Sequence, residues 1–288
     1  MILIADSGST KCDWALCNEA GEIITQTKTI GLNPYFIESK KIQEVIEDSE
    51  LTLHKEKIKN VIFYGAGCSS KEKNKILEDE LLKCFKNSEI KIRHDIKGAC
   101  YASYNGVPNI TCILGTGSNS CFFDGKKITS HAPSLGFLID DIGSGNYFGK
   151  KIINLYFNNR FPKDLSRKLE EKYETDWTIV KENIYNNDRP NVYLAEYFPF
   201  IIENRNHPLI KNLINNSLDK FVQTHIMSYK NYKNLVINFV GSVSFFLSDE
   251  IKEIIKLHNC KMGGIIKNPI KNLVNFHFNY KKQPFRKI

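Results

Sequence analysis

The chain has 288 residues, of which 42% are hydrophobic and 25% charged, and its formal net charge is +8 at pH 7. These values exclude a disordered or fibrous protein and predict one large or two medium domains. The lysines lie along predicted amphipathic helices beside acidic residues, so the charge indicates solvated helix faces rather than nucleic-acid binding. A mild positive field would also suit a phosphorylated ligand.

The eight cysteines are scattered, and no C-x-x-C pair occurs. This distribution favours reduced, buried thiols. No apolar stretch reaches the length of a membrane span, and Met1 opens directly into a predicted strand rather than a signal peptide. We therefore expect a cytoplasmic protein that does not bind a membrane.

The first part of the chain has three apolar strands followed by alternating helices and strands. This order is typical of an α/β fold in which a meander precedes crossover units. Predicted strands cover 2–5, 14–17, 22–28, 61–64 and 90–93, with a turn at 18–21, and predicted helices cover 37–46, 72–85 and 96–104.

From residue 109 the same opening returns, since strands are predicted at 110–114, 120–123 and 126–129 with a glycine hairpin between the first two. The repeat predicts a duplicated architecture, with domains at 1–108 and 109–265 and a C-terminal helix, 266–288, that would complete the first. Helices are predicted within 144–229 and over 244–257, a strand over 235–240, and a loop over 257–264.

The segment 6–11 lies between the first two strands and reads Asp-Ser-Gly-Ser-Thr-Lys. Gly8 allows a tight turn that exposes backbone N–H groups as an anion site, with the Ser9 and Thr10 hydroxyls beside them. Asp6 is a hard oxygen ligand suited to Mg²⁺. The pattern is not a Walker motif. An ordinary polar hairpin tip is the alternative reading.

The segment 115–119, Gly-Thr-Gly-Ser-Asn, follows the first strand of the second half. Its two glycines expose backbone N–H groups, and Thr116 and Ser118 add hydroxyls suited to a phosphate. A plain hairpin is the alternative. Because the two glycine turns hold equivalent places in the two halves, we expect them to face one cleft and grip the phosphates of a nucleotide.

Asp95 follows a predicted strand and begins a predicted helix, where it would serve equally as a helix N-cap. A carboxylate at the carboxyl end of a strand is also placed to accept a hydroxyl proton during phosphoryl transfer. His94 receives no role from the sequence.

Three further turns carry polar or glycine residues. Asp140 and Asp141 would bind sugar hydroxyls or metal-bound water, or cap the next helix. Asn33, in a turn beginning at Gly31, would read a ligand or only shape the turn. Gly241 ends a strand and would approach an adenosine or only permit helix packing.

Taken in order, these segments resemble the actin-like sugar-kinase superfamily, most closely N-acetylglucosamine kinases and BadF/BadG-type ATPases. The resemblance spans 2–278 and implies an α/β actin-like ATPase fold, ribonuclease H-like, with two similar domains and a nucleotide cleft between them. It implies that Asp95 is the catalytic base. The other implied site residues are Asp6 (also the Mg²⁺ ligand), Ser7, Gly8, Ser9, Thr10, Lys11, Gly115, Thr116, Gly117, Ser118, Gly241 and Ser242 for ATP, and Asn33, Asn119, Gly136 and Asp141 for the sugar.

One segment departs from the family pattern Trp-Gly-x-x-x-Gly-Asp-Glu-Gly-Ser. Leu135 replaces the Trp, Asp140 the second Gly, and Ile142 the Glu. Loss of the Glu would remove a sugar contact, which bears on which sugar is bound more than on phosphoryl transfer.

The resulting hypothesis is an ATP- and Mg²⁺-dependent kinase that phosphorylates an amino sugar, N-acetylglucosamine at its 6-hydroxyl. Dimerisation with a second copy is implied by the resemblance alone. The alternatives are a BadF-type activator ATPase, whose iron–sulfur cluster needs cysteine ligands, and a nucleotide-binding module without kinase activity.

Overall fold

The computed structural model describes residues 1–131 and 133–280. The chain divides into two compact units, Met1–Val107 together with the segment from Asn268 onward, and Pro108–Lys267. Within the described residues, no helix is long and apolar enough to cross a membrane.

Unit 1 is built on a five-stranded sheet in the order β3-β2-β1-β4-β5. β1 pairs antiparallel with β2 and parallel with β4, which pairs parallel with β5. The strands are β1 (Ile2–Ser7), β2 (Lys11–Cys17), β3 (Ile23–Ile30), β4 (Asn60–Gly65) and β5 (Glu89–His94). The helices are α1 (Ser39–Glu47), a 3₁₀ helix (Glu50–Lys57), α2 (Lys71–Cys84) and α3 (Asp95–Ser103).

Both faces of this sheet are covered, which explains why β1 and β2 are apolar along most of their length. One face packs Leu3, Trp14 and Phe63 against the helices that include α1 and α2. The other face packs Ile4 and Ala15 in a smaller cluster. Burial of both faces favours continuous apolar strands over an alternating pattern.

Unit 2 repeats the strand order, since its sheet reads β10-β9-β6-β7-β8. Its strands are β6 (Asn109–Leu114), β7 (Ser118–Phe123), β8 (Ile128–Thr129), β9 (Val236–Val240) and β10 (Lys261–Ile266). The long helical insertion contains α4 (Gly136–Ile139), α5 (Gly145–Phe157), α6 (Lys163–Glu170), α7 (Trp177–Tyr185), α8 (Pro190–Ala195), α9 (Phe198–Glu203), α10 (Pro208–Phe221), a π-helix (Val222–Ile226) and a 3₁₀ helix (Tyr232–Asn234).

After β9 come α11 (Ser242–Phe246) and α12 (Ser248–Leu257), and after β10 the chain returns to unit 1 as α13 (Ile270–Asn275) and a π-helix (Phe276–Tyr280). In both sheets the strand that comes first in the sequence is central, with two antiparallel strands on one side and two parallel strands on the other. The predicted α/β class with two similar domains is therefore confirmed.

The loop predicted over 257–264 is wrong, because β10 begins at Lys261. Gly263 and Gly264, at the centre of β10, suggest a turn in the sequence, but in the structure they allow close packing against a neighbouring strand. A Cβ on Gly263 would lie 2.2 Å from Asn238 Oδ1 in β9, and the Gly264 N–H donates to the same oxygen at 2.9 Å. Glycine within a strand can mark a close approach of a neighbour as well as a turn.

Two helix predictions also need correction. The helix predicted over 244–257 is divided at the buried Leu247, which lies between α11 and α12. Ser248 then begins α12, which carries Asp249 and Glu250 in its first turn, where carboxylates favour a helix start. The C-terminal helix predicted over 266–288 begins only at Ile270, and residues 281–288 lie outside the described part.

Candidate functional site

The carboxyl ends of three parallel strands bring the acidic residues of unit 1 together. Ser7 of β1 is opposite Gly65 of β4, which is opposite His94 of β5. Asp6, the last residue but one of β1, therefore lies at the end of the sheet where Asp95 follows β5. Asp6 and Asp95 are 89 residues apart in the sequence, but the register of the strands places them at the same end of the sheet, because the carboxyl ends of parallel strands lie together.

A three-residue loop, Gly8 to Thr10, joins β1 to β2 and forms the first hairpin. The Gly8 N–H donates to Lys11 O at 2.9 Å. Gly8 is not among the residues with positive φ, and a Cβ there would make only an ordinary contact, 3.7 Å from Lys11 O. Contrary to the sequence expectation, the turn itself does not require glycine at this position.

The loop after β3 supports this hairpin through hydrogen bonds. The fully buried Ser7 hydroxyl accepts a hydrogen bond from Leu32 N–H at 2.9 Å. Asn33 Nδ2 donates to Ser9 Oγ at 3.3 Å, and its Oδ1 accepts from Tyr35 N–H at 3.0 Å. The polar groups of Ser7 and Asn33 thus hold the hairpin in place, and their predicted ligand contacts stay predictions.

Lys11, at the start of β2, is held by two partners within unit 1. Its Nζ donates to Asn268 Oδ1 at 2.8 Å and pairs with Asp13 Oδ2 at 2.9 Å. Asp13 is buried, and Lys28 lies 3.9 Å from its other oxygen. The ammonium group therefore has a fixed position beside the hairpin.

Asp6 has the most perturbed carboxyl group at this edge. Burial, and then the negative charges of Asp95 and Asp13, raise the pKa of Asp6 to about 7, against a small opposing effect of Lys11. Its ionised form is therefore poorly stabilised by the protein itself. A cation near Asp6 would remove the penalty, because an opposite charge favours the ionised carboxylate.

Asp95 begins α3, and only one of its oxygens is occupied. Oδ1 accepts from Ile96 N–H at 2.7 Å and lies 2.6 Å from His94 Nδ1. Among residues 1–131 and 133–280, no group donates a hydrogen bond to Oδ2. Burial lowers the pKa of His94, but its hydrogen bond to Asp95 and the charge of that carboxylate raise it more, so the net change is upward.

The second hairpin, in unit 2, is a three-residue loop, Gly115 to Gly117, between β6 and β7. The Gly115 N–H donates to Gly117 O at 3.0 Å. The start of α5 holds its outer side, because Gly145 N–H donates to Gly115 O at 2.8 Å and Asn146 Nδ2 to Thr116 O at 2.7 Å. The carbonyl oxygens of all three loop residues thus accept hydrogen bonds from within unit 2.

Asp141 secures the same hairpin from the other side. Its backbone is left-handed, with φ of 57°, and its Oδ1 accepts from Ser118 N–H at 2.9 Å while Oδ2 accepts from Asn146 Nδ2 at 2.7 Å. Burial raises its pKa, against the lowering effect of these two hydrogen bonds. The side chain predicted to bind sugar is thus engaged in holding a glycine hairpin.

Two buried polar atoms beside this hairpin have no hydrogen-bond partner among the described residues. They are Ser118 Oγ and Asn146 Oδ1. Buried polar groups are nearly always satisfied by protein, water or a ligand. A water molecule or a ligand at this hairpin would satisfy both atoms.

The remaining predicted residues are distributed over unit 2. Asn119, on β7, accepts from Ser120 N–H at 2.8 Å, and Gly136, with φ of 72°, begins α4. Gly241 has φ of 124°, and a Cβ there would lie 2.3 Å from Leu114 O. Packing therefore accounts for Gly241, which places the exposed Ser242 next to the second hairpin.

Sequence reasoning missed three side chains. His94 contacts Asp95, and only their adjacency in the chain signalled it. Asn146 bridges Thr116 and Asp141, with no signal in the sequence. His225, in the π-helix, lies 3.2 Å from Asp140 Oδ2, and nothing in the sequence pairs residues so far apart.

One solved structure decides the family. A candidate N-acetylglucosamine kinase from Porphyromonas gingivalis superimposes with a TM-score of 0.89 at 32% identity, over 98% of this chain and 100% of the other. The chain belongs to the family of this candidate N-acetylglucosamine kinase. The resemblance inferred from the sequence motifs is confirmed.

More distant structures share the fold. A candidate N-acetylglucosamine kinase from Chromobacterium violaceum has a TM-score of 0.70 at 12% identity, over 96% of this chain and 98% of the other. A ROK-family glucokinase from Streptomyces griseus, solved with glucose and AMPPNP, has a TM-score of 0.54 at 13% identity, over 96% and 97%. No protein-family model matches the sequence, and no curated protein matches it.

Proposed function

We propose that the protein is an ATP-dependent sugar kinase that transfers the γ-phosphoryl group to the 6-hydroxyl of an amino sugar, N-acetylglucosamine. The observation that carries the proposal is the edge of the unit 1 sheet. Three features occur together there: a glycine hairpin, the carboxyl group of Asp6 with its raised pKa, and the carboxyl group of Asp95, which accepts hydrogen bonds at Oδ1. Family membership gives independent support.

Each hairpin would supply N–H donors to phosphate oxygens. A Cβ would meet open space at Gly115 and only an ordinary contact at Gly8, so the absence of a side chain at both positions is best explained by close approach of a ligand to the backbone. Ser118 Oγ, buried without a partner in the described chain, would satisfy its hydrogen bonding with the same ligand. Fixed dipoles of this kind stabilise the charge that develops during phosphoryl transfer.

Asp6 fits a magnesium ion bound with the nucleotide. Mg²⁺ takes one or two carboxylates and completes its shell with water and phosphate oxygens, so a cluster of many protein ligands is not needed. The raised pKa of Asp6 is the expected state of a carboxyl group whose counter-cation is supplied by a ligand. The metal would supply neutralisation of phosphate charge.

Asp95 would act as the general base. Its Oδ2 would accept the proton of the sugar hydroxyl while the new bond forms between the sugar oxygen and the γ-phosphorus and the bond to the β-phosphate oxygen breaks, releasing ADP. His94 and Ile96 N–H hold Oδ1, so the carboxylate is oriented before the sugar binds.

A coupled assay of ADP release with N-acetylglucosamine, N-acetylmuramic acid, glucosamine and glucose tests the proposal. We expect N-acetylglucosamine to give the highest kcat/KM. Asp95→Asn should lower kcat by about 10²–10⁴-fold, the usual range for a general base, with nucleotide binding retained.

Asp219→Asn is the matched control, because Asp219 also pairs with a histidine, His258, at 2.6 Å but lies on α10. It should leave turnover unchanged. ATP hydrolysis that no sugar accelerates would instead favour the activator ATPase, and an unaltered rate in Asp95→Asn would remove Asp95 from the mechanism.

A further inference from the structure

A buried histidine–carboxylate pair in unit 2 has no role in the proposed function. His225, in the π-helix Val222–Ile226, places Nε2 3.2 Å from Asp140 Oδ2 and 3.3 Å from Oδ1. Only 15% of the His225 side chain and 10% of the Asp140 side chain are exposed. Since an ionised carboxylate only accepts hydrogen bonds, Nε2–H is the donor. Burial makes this contact stronger than it would be on the surface, because water competes less for it.

The histidine is fixed from two sides. Its ring stacks on Phe221, with the ring centroids 4.8 Å apart and an angle of 21° between the planes, and Phe221 belongs to the unit 2 core. Its carbonyl oxygen accepts a hydrogen bond from Ser120 Oγ on β7 at 2.9 Å. β7 begins at Ser118, directly after the second hairpin. His225 therefore has a fixed position relative to the strand that leaves this hairpin, in a π-helical turn of the kind found mostly at functional sites.

Asp140 lies directly before a turn with a left-handed backbone. Asp141 has φ of 57° and Gly143 has φ of 74°. Aspartate adopts this conformation more readily than most residues, but it still costs free energy that neighbouring contacts must offset. Within the turn, Asp140 Oδ1 accepts from Ile142 N–H at 3.4 Å, and Ser144 N–H donates to Asp141 O at 3.1 Å. The contact with His225 ties the turn to an element outside it.

The turn has little freedom where it meets the second hairpin. Asp141 accepts from Ser118 N–H at 2.9 Å and from Asn146 Nδ2 at 2.7 Å. A Cβ on Gly117 would lie only 2.9 Å from Asp141 Oδ2, so the carboxylate is packed directly against the loop. Displacement of Asp141 would therefore change the position of the loop and of Ser118 N–H.

The pair depends on a residue that the family pattern does not have. Where the pattern Trp-Gly-x-x-x-Gly-Asp-Glu-Gly-Ser has its second Gly, this chain has Asp140. Glycine has no side chain with which to reach His225. The contact between the π-helix and the turn is thus a feature of this chain's own sequence.

We propose that His225 is a positioning residue for the nucleotide phosphates. Through Asp140 it fixes the backbone of Asp141, and Asp141 in turn fixes the second hairpin. His225 acts without contacting the nucleotide or the sugar. The inference rests on the proposed function, in which this hairpin donates N–H groups to phosphate oxygens. Donors that are already in place need no rearrangement when the phosphates bind, which favours affinity.

His225→Leu and His225→Gln test the proposal as a matched pair. Both lose the ring that stacks on Phe221, but glutamine keeps an N–H donor for Asp140 and leucine does not. In His225→Leu we expect the KM for ATP, and the Kd of Mg²⁺–AMPPNP in calorimetric titration, to rise by about 10-fold, the effect of losing one buried hydrogen bond. The kcat at saturating ATP should stay unchanged, and His225→Gln should bind the nucleotide nearly as well as the wild type.

His258→Leu is the control for general stability. His258 Nε2 lies 2.6 Å from Asp219 Oδ1, and the His258 side chain is 17% exposed, so this pair is similar in kind and burial but connects α10 with the end of α12. The variant should lower the melting temperature and leave the KM for ATP unchanged. A KM raised equally in His258→Leu and His225→Leu, or raised equally in His225→Gln and His225→Leu, overturns the proposal.

Hydrogen exchange in the nucleotide-free protein separates this inference from the proposed function. His225→Leu should speed exchange at Ser118 N–H by about 10-fold, whereas His258→Leu should not. Faster exchange in a protein that phosphorylates no sugar would support the positioning of the hairpin and contradict the kinase. An active kinase in which His225→Leu alters neither Ser118 exchange nor ATP affinity would contradict the role of His225 alone.

Asp140→Gly breaks the same pair from the other side and serves if His225→Leu does not fold. It should raise the KM for ATP by about the same 10-fold. Adding His225→Gln to Asp140→Gly should change the KM little further, because the two side chains act through one contact. An unchanged KM in Asp140→Gly would show that the pair does not position the hairpin.

Discussion

The two glycine hairpins have equivalent places in sheets of the same strand order, but different forces hold them. In unit 1 the support is packing and neutral hydrogen bonds from the loop after β3, through Gly31, Leu32 and Asn33. In unit 2 it is a buried carboxylate, Asp141, and the first turn of α5. Neither Asp6 nor Asp95 holds the unit 1 hairpin in this way, and the proposed function assigns the chemistry to these two carboxylates.

This comparison suggests a division of labour. Asp141, which holds a loop, is satisfied by internal donors, whereas Asp6, which the proposed function assigns to a ligand, is left poorly satisfied by the protein. Asp141 accepts two hydrogen bonds from within its unit. Asp6 instead has its pKa raised to about 7 by burial and by neighbouring carboxylates. Residue type alone does not separate the two roles.

The largest expected effect tests the packing of hairpin 1. In Gly31→Ala the new Cβ would lie 2.1 Å from Gly8 O and 2.7 Å from the Ser9 backbone, so the loop must shift. We expect the free energy of unfolding to fall by about 3 kcal/mol, as for overpacked sites. Urea denaturation measures it. A loss below about 0.5 kcal/mol, typical of neutral surface changes, would show that the hairpin is not held by this contact.

The next effect tests the charged support of hairpin 2. Asp141→Ala leaves Ser118 N–H without its acceptor and places alanine at a φ of 57°. We expect a loss of about 2 kcal/mol and faster hydrogen exchange at Ser118. Asp249→Ala, at an exposed residue on α12, is the control. Unchanged exchange at Ser118 would assign the hairpin's stability to α5 alone.

Asp6→Asn tests the raised pKa of Asp6 through the pH dependence of the free energy of unfolding. The folded state raises the pKa of this carboxyl from 3.8 to about 7, so it binds the proton more tightly than the unfolded chain. Its contribution to the free energy of unfolding therefore falls as the pH rises from about 4 to 7.

Without metal or nucleotide, Asp6→Asn should be more stable than the wild type at pH 8 by on the order of 1–2 kcal/mol, and by less at pH 5. Thermal unfolding at the two pH values measures the difference, and Mg²⁺–ATP should stabilise only the wild type strongly. A variant that is less stable at pH 8 would contradict the raised pKa.

The smallest effect on stability is expected for Gly8→Ala and Gly115→Ala. Neither glycine has a positive φ, and a Cβ finds open space at position 115 and an ordinary contact at position 8. We expect the free energy of unfolding to change by less than about 0.5 kcal/mol while ATP binding weakens. Calorimetric titration checks the affinity, and unchanged affinity in both variants would remove the proposed phosphate contacts.

Much of the fold was predictable because its signals are local. Apolar strands and amphipathic helices identified nine of the ten strands formed by the described residues, and their order in the chain. The errors occur where one local signal has two structural uses. The glycines of β10 are read as a turn, but they pack against Asn238.

The candidate site was predicted in part for a similar reason. Glycine turns after strands and a carboxylate at a strand end are visible in the sequence, and they led to the hairpins and to Asp95. Contacts between distant positions, such as Asp140 with His225 or Ser7 with Leu32, depend on where two elements cross. No spacing along one element records that crossing.

By itself the sequence determined the elements, the repeated strand order and the residue types able to bind phosphate or accept a proton, because periodicity and turn chemistry act over a few neighbouring residues. Only the tertiary structure decided what each polar group does. Burial, register and the nearest donors set whether a carboxylate accepts internal hydrogen bonds, as Asp141 does, or has its pKa raised to about 7 by burial and neighbouring carboxylates, as Asp6 does.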